Sequence, residues 1–129
     1  MVMIRACLSG VLVLLSITIA YSEGDPARGE RSFSKCSACH IIDNPRTRMG
    51  PHLMGVVGRP AGSVADYNYS AAMKDAGAKG MVWTEDNLRA FLYSPKKLVP
   101  GTSMRFFGLW SEDEINDLIA YMKTVPAPQ

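Results

Sequence analysis

Cys36-Ser37-Ala38-Cys39-His40 places two thiols three positions apart with an imidazole directly behind the second. That spacing serves to fix a haem by two thioether bonds and to ligate its iron with the adjacent histidine. Cysteines at i and i+3 on one helical turn project to the same side, so both sulfurs reach the two vinyl groups along one edge of a porphyrin. His40, one residue on, is then carried under the iron. Two plainer chemistries also use C-x-x-C. A closed zinc site wants four ligands, and beyond this pentapeptide the chain offers only His52 and Cys7. A dithiol redox pair belongs in a βαβ context, which the hydrophobic pattern does not supply. Covalent haem leads, with zinc and dithiol chemistry as the alternatives.

The second axial position decides what such an iron does. Left open, it binds or activates small molecules; closed, it transfers electrons. Met104 lies in Pro100-Gly101-Thr102-Ser103-Met104, a turn-initiated loop able to bring a thioether across the far face of the ring. Met73 and Met122 fall on expected helices and read more simply as core filler, while Met49, Met54 and Met81 lack such a turn. His52, beside Gly50-Pro51, is the competing ligand, but its closeness to His40 in sequence favours the same side of the ring. Met104 is preferred, with His52 or an open site as alternatives.

These residues need elements to hold them. Asp25-Pro26 reads as an N-cap followed by proline at the first helical position, opening a helix expected to run to about Ala38 with the cysteines at its far end. Residues 41–65 are rich in turn formers, including Asn44-Pro45, Gly50-Pro51 and Arg59-Pro60, and read as loop. Ser70 caps a short helix that Gly77 is expected to stop. Thr84 caps another, ending near Tyr93, with Pro95 as its breaker. Ser111 to Glu114 forms a capping box, Trp110 and Ile115 occupy the staple positions, and Ile115, Leu118, Ile119 and Met122 recur at helical spacing. That stripe needs a partner, and the face carrying Gly29 and Phe33 is the long one available. The fold class is all-α, with long loops that are accounted for if they wrap a ligand.

The ends set the address. Met1 to Arg5 is a short basic stub, Ala6 to Ala20 is almost unbroken apolar sequence, and Ala20-Tyr21-Ser22 has small residues at the cleavage positions. Residues 1–22 therefore read as a signal peptide. The alternative is an uncleaved anchor, although the run is short against the roughly 20 apolar residues of a spanning helix. Residues 23–129 would form one domain. Removing the leader takes Arg5 as its single charged residue, leaving a net charge of +1 instead of +2, which argues against nucleic acid as a partner.

From Gly24 to Lys123 the chain resembles a class I cytochrome c of the mitochondrial type, as found also in the bacterial periplasm. The resemblance rests on Gly29 with Phe33, Cys36 to His40, Gly50-Pro51 with Leu53, Gly58-Arg59, Tyr69, Trp83, Ser94 to Lys97, Pro100-Gly101-Thr102 with Met104, and Asp117 to Tyr121. It implies the small cytochrome c fold for residues 23–129, with the N- and C-terminal helices crossing at Gly29 and Phe33 against Leu118 and Tyr121. It implies one haem c held through Cys36 and Cys39, with His40 and Met104 as iron ligands. Pro51 should accept a hydrogen bond from the His40 ring, and Arg59, Tyr69 and Trp83 resemble the family's donors to a buried propionate. The chain departs from the family at Phe91, often tyrosine, at Met73 and His52, often asparagine, and at Ser103, often lysine.

The implied function is one-electron transfer without enzymatic turnover. Expected partners are membrane electron-transfer complexes, namely a quinol–cytochrome c reductase and a terminal oxidase or reaction centre, docking transiently with a monomer in the periplasm. A carrier dedicated to one periplasmic enzyme is the nearest alternative, and an open-site peroxidase or gas-binding haem protein a further one. Lys35, Lys96, Lys97 and Arg105, set against Glu112, Asp113, Glu114 and Asp117, are expected to form a dipole that steers docking.

Overall fold

A computed structural model describes residues 23–129; the expected leader, residues 1–22, lies outside the described residues. The chain folds into helices α1 (Pro26–Ser32), α2 (Ala71–Ala78), α3 (Glu85–Tyr93), α4 (Pro95–Leu98) and α5 (Glu112–Lys123). Among the described residues, β pairing is confined to one isolated bridge between Pro60 and Val82. The architecture is all-α, as expected.

Asp25 caps α1, its carboxylate accepting from the backbone N–H of Ala27 at 2.8 Å and of Arg28 at 3.3 Å. The helix is shorter than expected. After Ser32 it tightens into a 3₁₀ turn over Phe33–Lys35, and the cysteines follow in a turn of their own, where the N–H groups of Cys39 and His40 both reach the Cys36 carbonyl, at 3.1 and 3.0 Å. Ser32, Ser34 and Ser37 are weak helix formers that compete for backbone hydrogen bonds, and tightening of a last turn is the usual outcome. The thiols still lie one turn apart.

The stripe on α5 is fully buried, with Ile115, Leu118, Ile119 and Met122 at most 3% exposed. It packs on α1. A methyl group at Gly29 would overlap the backbone carbonyl of Asp117, so the crossing depends on a residue without Cβ. One turn further, the rings of Phe33 and Tyr121 meet edge to face, 5.8 Å apart at 63°. The ends of the crossing are locked by Asp117. Its carboxylate accepts from the Asp25 N–H at 2.6 Å and from the Arg28 guanidinium at 2.7 and 2.9 Å.

Asp117 is 5% exposed, so it does not belong to a solvated acidic face. Glu114 ion-pairs with Lys35 across the two helices at 2.5 Å. The dipole expected from these charges is therefore reduced: one cation and two carboxylates are spent inside the helix pair. Ser111 caps α5 through the Glu114 N–H at 3.3 Å, but Trp110 is 83% exposed and forms no staple with Ile115.

Two boundaries also differ from expectation. Gly77 does not stop α2, which continues to Ala78; a methyl there would overlap the Ala61 carbonyl, so the glycine serves close packing of the loop on the helix. Pro95 opens α4 at its first position instead of only ending α3, the place where its missing N–H is least missed.

Candidate haem-binding site

The turn at Cys36–Cys39 delivers His40 against the loop that follows. The His40 Nδ1 lies 2.8 Å from the Pro51 carbonyl oxygen. A carbonyl only accepts, so Nδ1 carries the proton and Nε2 keeps its lone pair for a metal. Gly50 packs flat on the same ring; a methyl at that position would overlap the imidazole. The loop is pinned to the motif from both sides, by the Gly50 N–H to the Cys39 carbonyl at 2.9 Å and the Leu53 N–H to the Ile41 carbonyl at 2.8 Å. Burial, with the Arg59 charge adding to it, lowers the His40 pKa despite the opposing effect of the Pro51 bond. The imidazole is held neutral, the form that ligates.

Burial pushes the Cys36 thiol up to about 11. Metal-binding and redox cysteines need accessible thiolate and environments that lower their pKa. Cys36 has the opposite environment, and among the described residues no cluster of three or more metal-type side chains exists. Both facts weigh against the zinc and dithiol alternatives.

Arg59 and Trp83 are laid side by side by the short bridge around Pro60 and Val82: the Trp83 N–H donates to the Arg59 carbonyl at 2.9 Å and the Gly58 N–H to the Trp83 carbonyl at 2.8 Å. One guanidinium nitrogen of Arg59 donates to the carbonyls of His52 and Met54, at 2.9 and 3.1 Å. Among the described residues its buried Nε has no hydrogen-bond partner. Burial lowers the Arg59 pKa, and the neighbouring Tyr69 opposes this. Tyr69 accepts from the Val64 N–H at 3.1 Å, which leaves its own hydroxyl proton to donate, and burial raises its pKa. Trp83 is 7% exposed, its ring tilted against Phe91 at 4.9 Å.

His52, weighed as a second ligand, is 7% exposed. Its Nδ1 is buried without a partner, as is the hydroxyl of Thr47. Burial and the nearby Arg59 lower its pKa. Met104 sits on the loop between α4 and α5, its N–H directed at the Thr102 hydroxyl at 3.3 Å. Its side chain is half-buried and packs against the hydrophobic core, as do the half-buried Leu53, Val57, Met81, Leu98 and Phe106.

The residues present fit a haem. A neutral, oriented imidazole follows two thiols on one turn, a buried guanidinium has an N–H to spare and no carboxylate beside it, and the half-buried apolar side chains suit a porphyrin face. Sequence reasoning missed the part Gly50 plays against the His40 ring. Gly50 was legible as a turn former; that it packs on His40 depends on where the loop returns.

The comparisons agree with this chemistry. The family described as cytochrome c matches residues 26–126. Cytochrome c2 of Agrobacterium tumefaciens is 50% identical over 101 residues, covering 78% of this chain and 91% of that protein. Cytochrome c-550 of Ancylobacter novellus is 44% identical over 103 residues, covering 79% and 96%. Among solved structures, cytochrome c2 from Rhodospirillum centenum superposes with a TM-score of 0.75 at 37% identity, covering 80% of this chain and 99% of that one. The chain belongs to the cytochrome c family, as a class I member carrying one covalently attached haem c.

Proposed function

We propose that this electron-transfer protein is a one-electron carrier in which Cys36 and Cys39 hold the haem and His40 and Met104 ligate its iron. When bound, the haem would supply a one-electron iron couple, and ligation by a thioether together with a histidine would set its potential high. The protein's part is to hold both ligands in place. Pro51 and Gly50 fix the plane and tautomer of His40, and Thr102 shapes the turn that presents Met104. Arg59, Tyr69 and Trp83 would hold the propionate by donating to it, which would keep that carboxylate ionised away from water. One electron enters and one leaves, with no bond made or broken in a substrate.

The hydrogen bond from His40 to Pro51 carries this reading, because it leaves a single free imidazole nitrogen on a ring that cannot rotate. We take residues 1–22 as a signal peptide and the periplasm as the working compartment, in line with the bacterial cytochrome c2 and c-550 relatives. The partners would be a quinol–cytochrome c reductase on one side and a terminal oxidase or reaction centre on the other.

Mass spectrometry of the mature protein tests attachment and cleavage together: the expected mass is that of residues 23–129 plus one haem. The ferric protein should show the weak band at the red edge of the visible spectrum that marks a methionine-sulfur ligand. Met104→Ala should lose that band and lower the reduction potential. Retention of the band in Met104→Ala would overturn the assignment of the ligand.

A further inference from the structure

The loop that carries Met104 continues into a segment that turns some side chains to the core and others to solvent. Phe106 is half-buried and Leu109 is 7% exposed, while Phe107 and Trp110 are 90% and 83% exposed. The segment lies across the end of α3. The Leu109 N–H donates to the Leu92 carbonyl at 2.8 Å, and Gly108 sits so close to the Tyr93 carbonyl that a methyl there would overlap it. Tyr93 is itself 52% exposed. Three large aromatic side chains in solvent are thus gathered at one place beside the Met104 loop, where scattered single exposures would need no explanation.

Cations flank these rings along α4 and the Met104 loop, while the exposed Glu112 and Asp113 follow Trp110 at the start of α5. No carboxylate occurs between Asp86 and Glu112. Lys96, Lys97 and Arg105 are exposed there, and among the described residues no acid pairs with them. An aromatic centre with cations on its rim is the anatomy of a docking surface, in which rings anchor and rim charges set approach and register.

We infer that Phe107 and Trp110, with Tyr93 beside them, form the anchoring centre of the surface on which this carrier meets a redox protein whose own face is apolar at the centre and acidic around it. The inference rests on the electron-carrier reading and adds to it the residues and the kind of force that hold the partner. A second copy of the chain is disfavoured, because the unpaired Lys96, Lys97 and Arg105 of both copies would gather at the contact. A lipid surface is disfavoured too. Interfacial binding sinks a broad apolar helix face roughly 5–10 Å into the headgroups, whereas these rings stand on a loop segment and a helix end. Three rings suit the small interfaces of transient electron-transfer pairs, below about 1,200 Å².

The consequence is docking with a salt-resistant component. Rim charges are screened within about 8 Å at physiological ionic strength, but ring burial is not.

The test uses the haem-loaded protein and the purified quinol–cytochrome c reductase of the same organism, with reduction followed from low salt to about 0.15 M, the physiological range. Phe107→Ala and Trp110→Ala should each raise KM about tenfold at the higher salt, as anchors do. kcat, the reduction potential and the red-edge band should stay unchanged. Trp110→Phe should restore most of the loss. A double alanine variant within twofold of the parent overturns the inference while leaving the carrier reading intact. Loss of the red-edge band together with the kinetic loss also overturns it, by assigning the effect to the Met104 loop. Binding of the parent to phosphatidylglycerol vesicles that the double variant lacks, with reductase kinetics unchanged, overturns it in favour of a bilayer. A parent that the reductase does not reduce at all removes the carrier reading and this inference with it.

Discussion

The His40 Nδ1 donates to the Pro51 carbonyl across 2.8 Å while Gly50, the residue before that proline, packs against the same imidazole ring. One dipeptide thus sets both the tautomer and the plane of the ligand. A proline cannot move its carbonyl without moving the turn, and a glycine leaves the ring no neighbour to push it aside.

Gly50→Ala tests this arrangement. The added methyl overlaps the imidazole, so either the loop or the ring must shift, and overpacking of this kind costs about 1–3 kcal/mol. Guanidinium unfolding should show that loss in the haem-loaded protein. The bond to Pro51 makes His40 a better donor to ferric iron, so weakening it should also raise the reduction potential. Unchanged stability together with an unchanged potential would show that Gly50 has no part in holding the ligand.

Gly29→Ala addresses the other end of the motif. Its methyl meets the Asp117 carbonyl on α5, and helices that cross through a glycine have no side chain to rearrange. The pair must separate, exposing apolar area around Phe33 and Tyr121. The expected loss is about 2 kcal/mol, read as a fall of about 10 °C in Tm for a domain of this size. A fall under 2 °C, set against about 4–8 °C per kcal/mol, would mean that the crossing tolerates a side chain there.

Asp117→Asn gives a prediction in pH. The hydrogen bonds from Arg28 are the main cause of a carboxyl held below its ordinary value, with the Asp25 N–H adding to them against the cost of burial. A depressed folded pKa contributes stability that is fully present above the unfolded value of about 3.9 and is lost as pH falls through the folded one. The parent should therefore lose stability in acid below about pH 4, and Asp117→Asn should flatten that limb. At neutral pH the variant should be less stable by about 2 kcal/mol, the scale of hydrogen bonds to a charged group. Equal acid limbs in parent and variant would place the acid sensitivity elsewhere.

The parts of the fold legible in the sequence are those that local chemistry decides. Ser111 and the Ile115 to Met122 stripe specify α5 because a cap and a helical period need nothing beyond twelve consecutive residues. The cysteine motif declared its chemistry at once but not its backbone, since Ser32 and Ser34 sit at the balance between α and 3₁₀ geometry. Asp117 looked like one more solvated acid; only the arrival of Arg28 and the Asp25 N–H buries and pairs it. Gly77 looked like a stop because its contact with the Ala61 carbonyl is long-range. Met104 was picked out by its turn and Arg59 by resemblance, but the unpartnered Arg59 Nε required the fold. The exposure of Trp110 ran against an expectation that placed it in a staple.

Phe91 offers a final test, of how dry the site is kept. The residue is 8% exposed on α3 and its ring lies 4.9 Å from that of Trp83, so the pair presents two aromatic faces, and the phenol expected at position 91 from the family resemblance is missing. An apolar environment disfavours the more highly charged ferric state, and a hydroxyl there would relieve that penalty. Phe91→Tyr should lower the reduction potential, measured by equilibrium redox titration. It should also cost about 1–2 kcal/mol of stability if the new hydroxyl finds no acceptor. An added polar group in the core against which Met104 packs should shift the alkaline transition, followed as the pH at which the red-edge band disappears. A variant with the parent's potential and the parent's alkaline transition would show that the absence of a phenol at position 91 does not govern the iron, and that the tuning lies instead with His40 and its hydrogen bond to Pro51.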